Sequence, residues 1–247
     1  MVIITSVQNK YVKEWKKLHK RKYRYEKNQF LIEGFHLIEE AYKTKQSIET
    51  VIVEEGIAIL PIIDMLDVVT VSKQVFKEIS QTERPQGIAA VINMESPQPK
   101  EERYVLLLDA IQDPGNLGTI IRTADAAGFS NIILGRGTVD LYNDKVIRAT
   151  QGSLFHIPIV QKDLTESIPR LKESGFSVWA TTLQRAKNYR DIEPSEKTAI
   201  ILGNEGSGVD ETLINMADEL VKIPIYGKAE SLNVGIAAGI LMYYIRN

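Results

Sequence analysis

The sequence predicts an α/β protein, with a parallel sheet covered by helices on both faces in its C-terminal part and a smaller α/β module ahead of it. Short apolar runs at Tyr104–Asp109, Ile132–Leu134, Ser177–Ala180, Thr198–Leu202 and Leu220–Ile223 are separated by helix-length segments. Runs of this kind suit the central strands of a helix-covered parallel sheet. Residues 31–92 alternate β-rich runs (Thr50–Val53, Val68–Val71, Ile88–Ile92) with helical periodicity such as Phe35, Ile38 and Tyr42, which predicts a small α/β module. Between them, Glu95–Glu102 combines two prolines with charges and no apolar residue and reads as a linker. The expected division is therefore a domain over 1–95, a linker over 96–102 and a domain over 103–247.

Composition narrows the class. The 247 residues are 44% apolar and 25% charged, which fits one large or two modest domains and excludes collagen-like, disordered and disulfide-scaffold chains. The longest apolar stretch, Val234–Ile245, contains two Tyr and several small residues and falls short of the roughly 20 residues of a membrane helix. Met1–Lys10 lacks the apolar core of an export signal, so the expected location is the cytoplasm. With no Cys, and with His19, His36 and His156 far apart, neither a thiolate nucleophile nor a metal cage is expected.

The net charge of −2 hides an asymmetry. Met1–Asn28 carries nine Lys and Arg against two Glu, a net of +7, leaving −9 on the rest. Interleaved with Tyr11, Trp15, Tyr23 and Tyr25, these cations can attract phosphates and offer ring faces to unpaired bases. The alternative is a solvated helix whose aromatic residues pack on the domain beneath.

In open α/β sheets, ligands bind beyond the carboxyl ends of the strands, so the loops after the apolar runs are the candidates. The first, Asp109–Gly128, places Pro114, Gly115 and Asn116 in a turn and begins a helix at Thr119, which lets Asn116 and Arg122 reach one crevice. The second, Leu202–Val209 (LGNEGSGV), has Gly203, Gly206 and Gly208, either plain turn residues or a loop that wraps a ligand. The third, Ile223–Ile240, places Ser231 and Asn233 at the mouth of a small-residue helix. Neither the G-x-x-x-x-G-K-[ST] phosphate loop nor the G-x-G-x-x-G dinucleotide fingerprint is present. Residue chemistry alone thus gives a ligand-binding α/β domain with a basic arm.

Three segments carry a resemblance: Asn116-x-Gly118-x-x-x-Arg122-Thr123-Ala124, Leu202–Val209, and Ile223-Pro-Ile followed by Ser231–Ala238. Together they resemble, in order, the three motifs of the SpoU (TrmH-type) RNA 2′-O-ribose methyltransferases, over residues 104–246. The resemblance implies the SPOUT class, whose sheet ends in a deep trefoil knot forming the S-adenosylmethionine site, an exception to the near absence of knots in proteins. It also implies a homodimer. Phe30–Ala41 and Thr70–Ile92 are similar to the ribosomal-protein-L30-like RNA-binding domain, which implies an RNA substrate, with ribosomal RNA favoured over transfer RNA.

The same resemblance implies roles for residues. Main-chain groups of Gly203, Ile223 and Leu232 would contact the adenosine part of the cofactor. Arg122 would be catalytic, either as a base or as a group that binds the neighbouring phosphate and stabilises the developing alkoxide. Asn116 would orient Arg122 or the ribose, Glu205 would fix the knot loop and reach Arg122, and Ser231 and Asn233 would bind the substrate phosphate or ribose. The competing readings are a transfer-RNA methyltransferase, a non-catalytic RNA-binding protein of the same fold, and a guanine-N1 enzyme of the TrmD-like kind, against which the Asn116–Arg122 motif speaks. His156 is expected to be a partly buried structural histidine, Asp125 a helix-surface or arginine-pairing residue, Arg148 an RNA contact or a helix-terminal charge, and Trp15 and Trp179 core residues.

Overall fold

A computed structural model describes residues 3–58, 66–96 and 103–247; the expected linker, apart from Ser96, lies outside the described residues. The chain forms two compact units, Met1–Ser96 with Asp140–Phe155, and Pro97–Val139 with His156–Asn247.

The first unit runs α1 (Lys10–Lys17), α2 (Arg21–Lys27), β1 (Gln29–Glu33), α3 (Phe35–Lys43), β2 (Ile48–Glu54), β3 (Val68–Val71), α4 (Lys73–Ile79) and β4 (Ile88–Asn93). Its sheet has the order β1-β4-β2-β3, with β4 antiparallel to both neighbours and β2 parallel to β3. Alternation along β4 builds two cores. Ile88, Ala90 and Ile92 join Phe30, Leu37, Ile38 and Ala41 on one face, whereas Ala89 and Val91 join Val12, Trp15, Leu18, Val75, Phe76 and Ile79 on the other. The basic arm is therefore amphipathic: its apolar stripe belongs to the core, while Tyr11 and Tyr25 stay 52% and 46% exposed.

The second unit contains β5 (Tyr104–Leu108), α5 (Pro114–Ala126) and β6 (Asn131–Leu134). The chain then contributes α6 (Asp144–Thr150) to the first unit. It returns to form β7 (Ile159–Gln161), α7 (Leu164–Glu173), β8 (Ser177–Thr181), β9 (Lys187–Asn188), β10 (Thr198–Leu202), α8 (Glu211–Met216), β11 (Glu219–Lys222) and α9 (Val234–Arg246). The sheet order is β7-β6-β5-β10-β8-β11-β9, and every neighbouring pair is parallel. Val105, Leu107, Ile133, Val178, Ala199 and Ile201 pack against Leu164, Ile168 and Leu171 of α7 and Leu213 of α8. Alternate residues such as Leu106 and Ile200, fully buried, point to the opposite face, where α9 lies against β10 and α5.

All five strands expected in the second unit are present. The structure departs from the sequence reading in three places. The edge strands β7 and β9, three and two residues long, are too short for a visible apolar run, and β1 overlaps the start of the Phe30–Ala41 segment without a strand signal of its own. Pro114, Gly115 and Asn116 are the first turn of α5 rather than a loop before it, because Asp113 caps the helix and Pro114 needs no donor at its start. Residues 140–155, expected within the 103–247 domain, pack with the first unit: Tyr142, Ile147, Leu154 and Phe155 join its core, and Arg24 forms a buried ion pair with Asp140.

Candidate active site

Because β5 and β10 are adjacent and parallel, their carboxyl ends release the chain side by side, with Leu202 paired to Leu108 and Asp109 N donating to Leu202 O at 2.8 Å. Asp109 Oδ2 then accepts the Asp210 N–H at 2.8 Å, tying the far end of the second loop to the start of the first. Burial and the nearby Asp210 charge push the Asp109 carboxyl up, opposed by that hydrogen bond. Between them Ala110 takes a left-handed φ of +54°, strained for a residue with a Cβ. Asn204 Nδ2 donates to its carbonyl at 2.8 Å and secures the turn.

The second loop closes on itself through Asn204 N to Gly208 O (2.9 Å) and Gly208 N to Asn204 O (3.0 Å). A Cβ on Gly203 would lie 2.2 Å from the Gly208 carbonyl carbon and the Val209 nitrogen, so no other residue fits. The closed loop projects Glu205 toward the start of α5. There its carboxylate accepts Gln112 N at 3.2 Å, Asp113 N at 3.1 Å and Asn116 Nδ2 at 3.0 Å. Burial by itself raises the Glu205 pKa; the Asn116 amide and the main-chain donors outweigh it and leave the carboxyl below its usual range.

The third loop joins through Asn233. Its Oδ1 caps α9 by accepting Gly235 N (2.9 Å) and Ile236 N (3.3 Å), and its Nδ2 donates to Asn116 Oδ1 at 2.9 Å. Asn116 is thus the hub at which all three loops meet. Helices α5 and α9 run close here, since a Cβ on Gly235 would lie 3.3 Å from Thr119 Cγ2 and one on Gly239 3.7 Å from Thr123 Cγ2. Asn116, Thr119 and Thr123 share the α9-facing side by helical spacing.

Arg122 lies on the flank of that seam, exposed, and among the described residues its side chain forms no hydrogen bond or ion pair. The structure therefore brings Asn116, Glu205 and Asn233 together and leaves Arg122 apart from them. Ser231 and Leu232 are exposed, and Ile223 is half-buried at the end of β11. Asp125, one helical turn beyond Arg122, pairs with His156 Nδ1 at 2.9 Å rather than with an arginine. Arg148 pairs within α6 with Asp144 at 2.7 Å. Trp179 is fully buried near Tyr244, and Trp15 is buried beneath Tyr11.

Sequence reasoning missed Asp109, Asp113 and Asn204. The signal for Asp113 was available, since Asp-Pro before a helix is a capping pattern. The contacts of Asp109 and Asn204 bridge residues about a hundred positions apart and have no local signature.

The donor set fits S-adenosylmethionine. From Pro224 to Leu232, among the described residues, no main-chain group makes a backbone hydrogen bond, and Leu232, Ile236 and Tyr226 expose 36%, 56% and 88% of their surface. Free amide groups beside apolar surface suit an adenosine edge and a thioether arm.

In the first unit, Lys16 pairs with Glu78, Lys17 and Lys27 with Glu14, and Arg24 with Asp140. Lys10, Lys13, Lys20, Arg21 and Lys22 form no ion pair among the described residues, and Lys10 and Arg21 lie over the exposed rings of Tyr11 and Tyr25. Among the described residues no helix is long and apolar enough to cross a membrane, and no group of His and acidic residues could hold a metal.

Residues 103–243 match the model of the SpoU rRNA Methylase family and residues 9–90 that of the MRM3-like substrate binding domain. The 23S rRNA (guanosine(2553)-2′-O)-methyltransferase RlmP of Bacillus subtilis (strain 168) is 46% identical over 244 residues, 98% of this chain and 98% of its own length. The AdoMet-bound rRNA methyltransferase from Sinorhizobium meliloti superposes with a TM-score of 0.89 at 34% identity, covering 99% of this chain and 97% of the other. A crystal structure of an RNA 2′-O ribose methyltransferase superposes at 0.84 and 32% identity, covering 99% and 98%.

Proposed function

The chain belongs to the SpoU rRNA methylase family, and from that premise we propose that it transfers a methyl group from S-adenosylmethionine to a ribose 2′-hydroxyl of ribosomal RNA. The observation that carries this reading is the junction at Asn116, where the three motif loops are held in one arrangement by Glu205 and Asn233. S-adenosylmethionine, when bound, supplies the electrophilic methyl. Main-chain groups of Gly203, Ile223 and Leu232 would hold its adenosine part, and the Asn116 junction fixes the loops that carry them. Positioning of this kind supplies much of the acceleration in an in-line displacement.

Arg122 is the catalytic cation. A guanidinium carries five donors and no acceptor, which argues against a base and for a group that grips the phosphate beside the target ribose and stabilises negative charge on the 2′-oxygen as its proton passes to solvent. Ser231 and Asn233 contact the same ribose–phosphate segment, and the first unit holds the surrounding RNA through Lys10, Lys13, Lys20, Arg21 and Lys22. The similarity to the 23S rRNA enzyme and to a substrate binding domain supports a ribosomal substrate. A C-terminal knot, a homodimer that covers Ile236 and Tyr243 (49% exposed), and a cytoplasmic location complete the proposal. The dimer predicts sedimentation well above the 27.8 kDa monomer, and a monomer at micromolar concentration would refute it. Mapping 2′-O-methyl groups in ribosomal RNA from cells with and without this protein tests the whole reading. Loss of one site is expected, and an unchanged map would count against it.

A further inference from the structure

Arg122 and Asp125 stand three residues apart on α5, a spacing at which opposite charges on a helix meet. Left to themselves they would form an ion pair, and an arginine so neutralised has less charge to offer a phosphate or an alkoxide. The structure shows another arrangement. Asp125 Oδ2 lies 2.9 Å from His156 Nδ1, with both side chains about a third exposed, and Arg122 forms no ion pair among the described residues. His156 comes from the segment that leads into β7, so the hold on Asp125 originates outside the helix that carries the arginine.

We infer that His156 is a positioning residue for methyl transfer: by taking the Asp125 carboxylate, it leaves the Arg122 guanidinium uncompensated for the RNA. The inference rests on the role proposed for Arg122 above. His156 touches neither substrate nor cofactor in this scheme. It acts through Asp125, and its removal would free a carboxylate one helical turn from the site, where it competes with the RNA phosphate for Arg122 and repels the backbone.

The test is single-turnover methyl transfer to ribosomal RNA by the full-length protein. His156→Ala is expected to slow transfer on the order of five- to twentyfold, with S-adenosylmethionine affinity unchanged. Adding Asp125→Asn to His156→Ala should restore most of the rate by removing the competing charge, and His156→Gln, which keeps a donor, should retain it. A purely structural histidine predicts the opposite, with the double variant as slow as His156→Ala. An unchanged rate in His156→Ala, or no recovery in the double variant, overturns the inference. Should His156→Ala fail to fold, the arginine side-chain resonances of the intact protein decide. Arg122 Nε–H should be unmoved by Asp125→Asn, and a shift like that of a broken ion pair would show that the carboxylate already sat on Arg122. Absence of transfer by the wild type would instead remove the reading of Arg122 itself.

Discussion

Asn116 donates through Nδ2 to Glu205 at 3.0 Å across 89 residues of sequence. The contact joins the first turn of α5 to the loop after β10, and two main-chain N–H groups of the α5 approach converge on the same carboxylate. Glu205→Ala would leave all three donors to solvent and release the loop from the start of α5. The expected cost is about 1–2 kcal/mol of stability and at least a tenfold fall in methyl transfer through misplaced loops. Because the folded-state pKa of Glu205 is lowered from 4.5, its contribution is complete above that value and lost as pH falls through the lowered one. Thermal melts of wild type and Glu205→Ala should therefore converge as the pH is taken below 4.5; melts that stay equally far apart would show that the carboxylate charge is immaterial.

Gly203→Ala should abolish S-adenosylmethionine binding. The added Cβ would fall 2.2 Å from backbone atoms of Gly208 and Val209, and backbone cannot yield as a flexible side chain can. Calorimetry should show no binding heat with the protein still folded. Wild-type affinity in this variant would disprove the cofactor role of the loop.

The first unit carries an acid-sensitive group. Burial lowers the His19 pKa from 6.5, partly opposed by its hydrogen bond to the Ile79 carbonyl at 2.8 Å and by the charges of Glu33 and Asp144. A depressed folded-state pKa means that the unfolded chain takes up the proton first. The stability contribution of neutral His19 is therefore full above 6.5 and is lost as pH falls through the folded value. His19→Gln should flatten the stability profile as pH falls below 6.5; an unaltered slope would assign the loss to other groups.

RNA binding by the arm should divide its cations. Replacing Lys10, Lys13, Arg21 and Lys22 by Gln is expected to weaken binding and to reduce the salt slope by roughly one unit for each phosphate that is no longer neutralised. The same change at Lys16, Lys17 and Lys27, which already pair with Glu78 and Glu14, should lower the slope far less. Equal effects from the two sets would show that the ion pairs open on binding.

Much of this molecule was legible in the sequence because its central strands are continuous apolar runs and its site loops begin where those runs stop. Tyr104–Leu108 and Thr198–Leu202 are strands, as their apolar runs predict, and the residues that follow them meet at Asn116. What the sequence concealed has a common cause. The packing of residues 140–155 with the first unit joins Arg24 to Asp140 across 116 positions and adds Tyr142, Ile147, Leu154 and Phe155 to its core, and β9 is only two residues long, defined by its partner β11 rather than by its own pattern. The pairing of Asp125 with His156, in place of an arginine partner, is likewise set by tertiary proximity. Neither periodicity nor propensity encodes such contacts.

The proposed catalytic step rests on Arg122, and single-turnover transfer of labelled methyl from S-adenosylmethionine to ribosomal RNA by wild type and Arg122→Ala measures it. Label on a ribose 2′-oxygen with the wild type, a rate lower by on the order of a hundredfold with Arg122→Ala, and equal cofactor affinity in both is the expected result. Equal transfer rates would take Arg122 out of the mechanism, and no transfer by the wild type would contradict the enzymatic assignment.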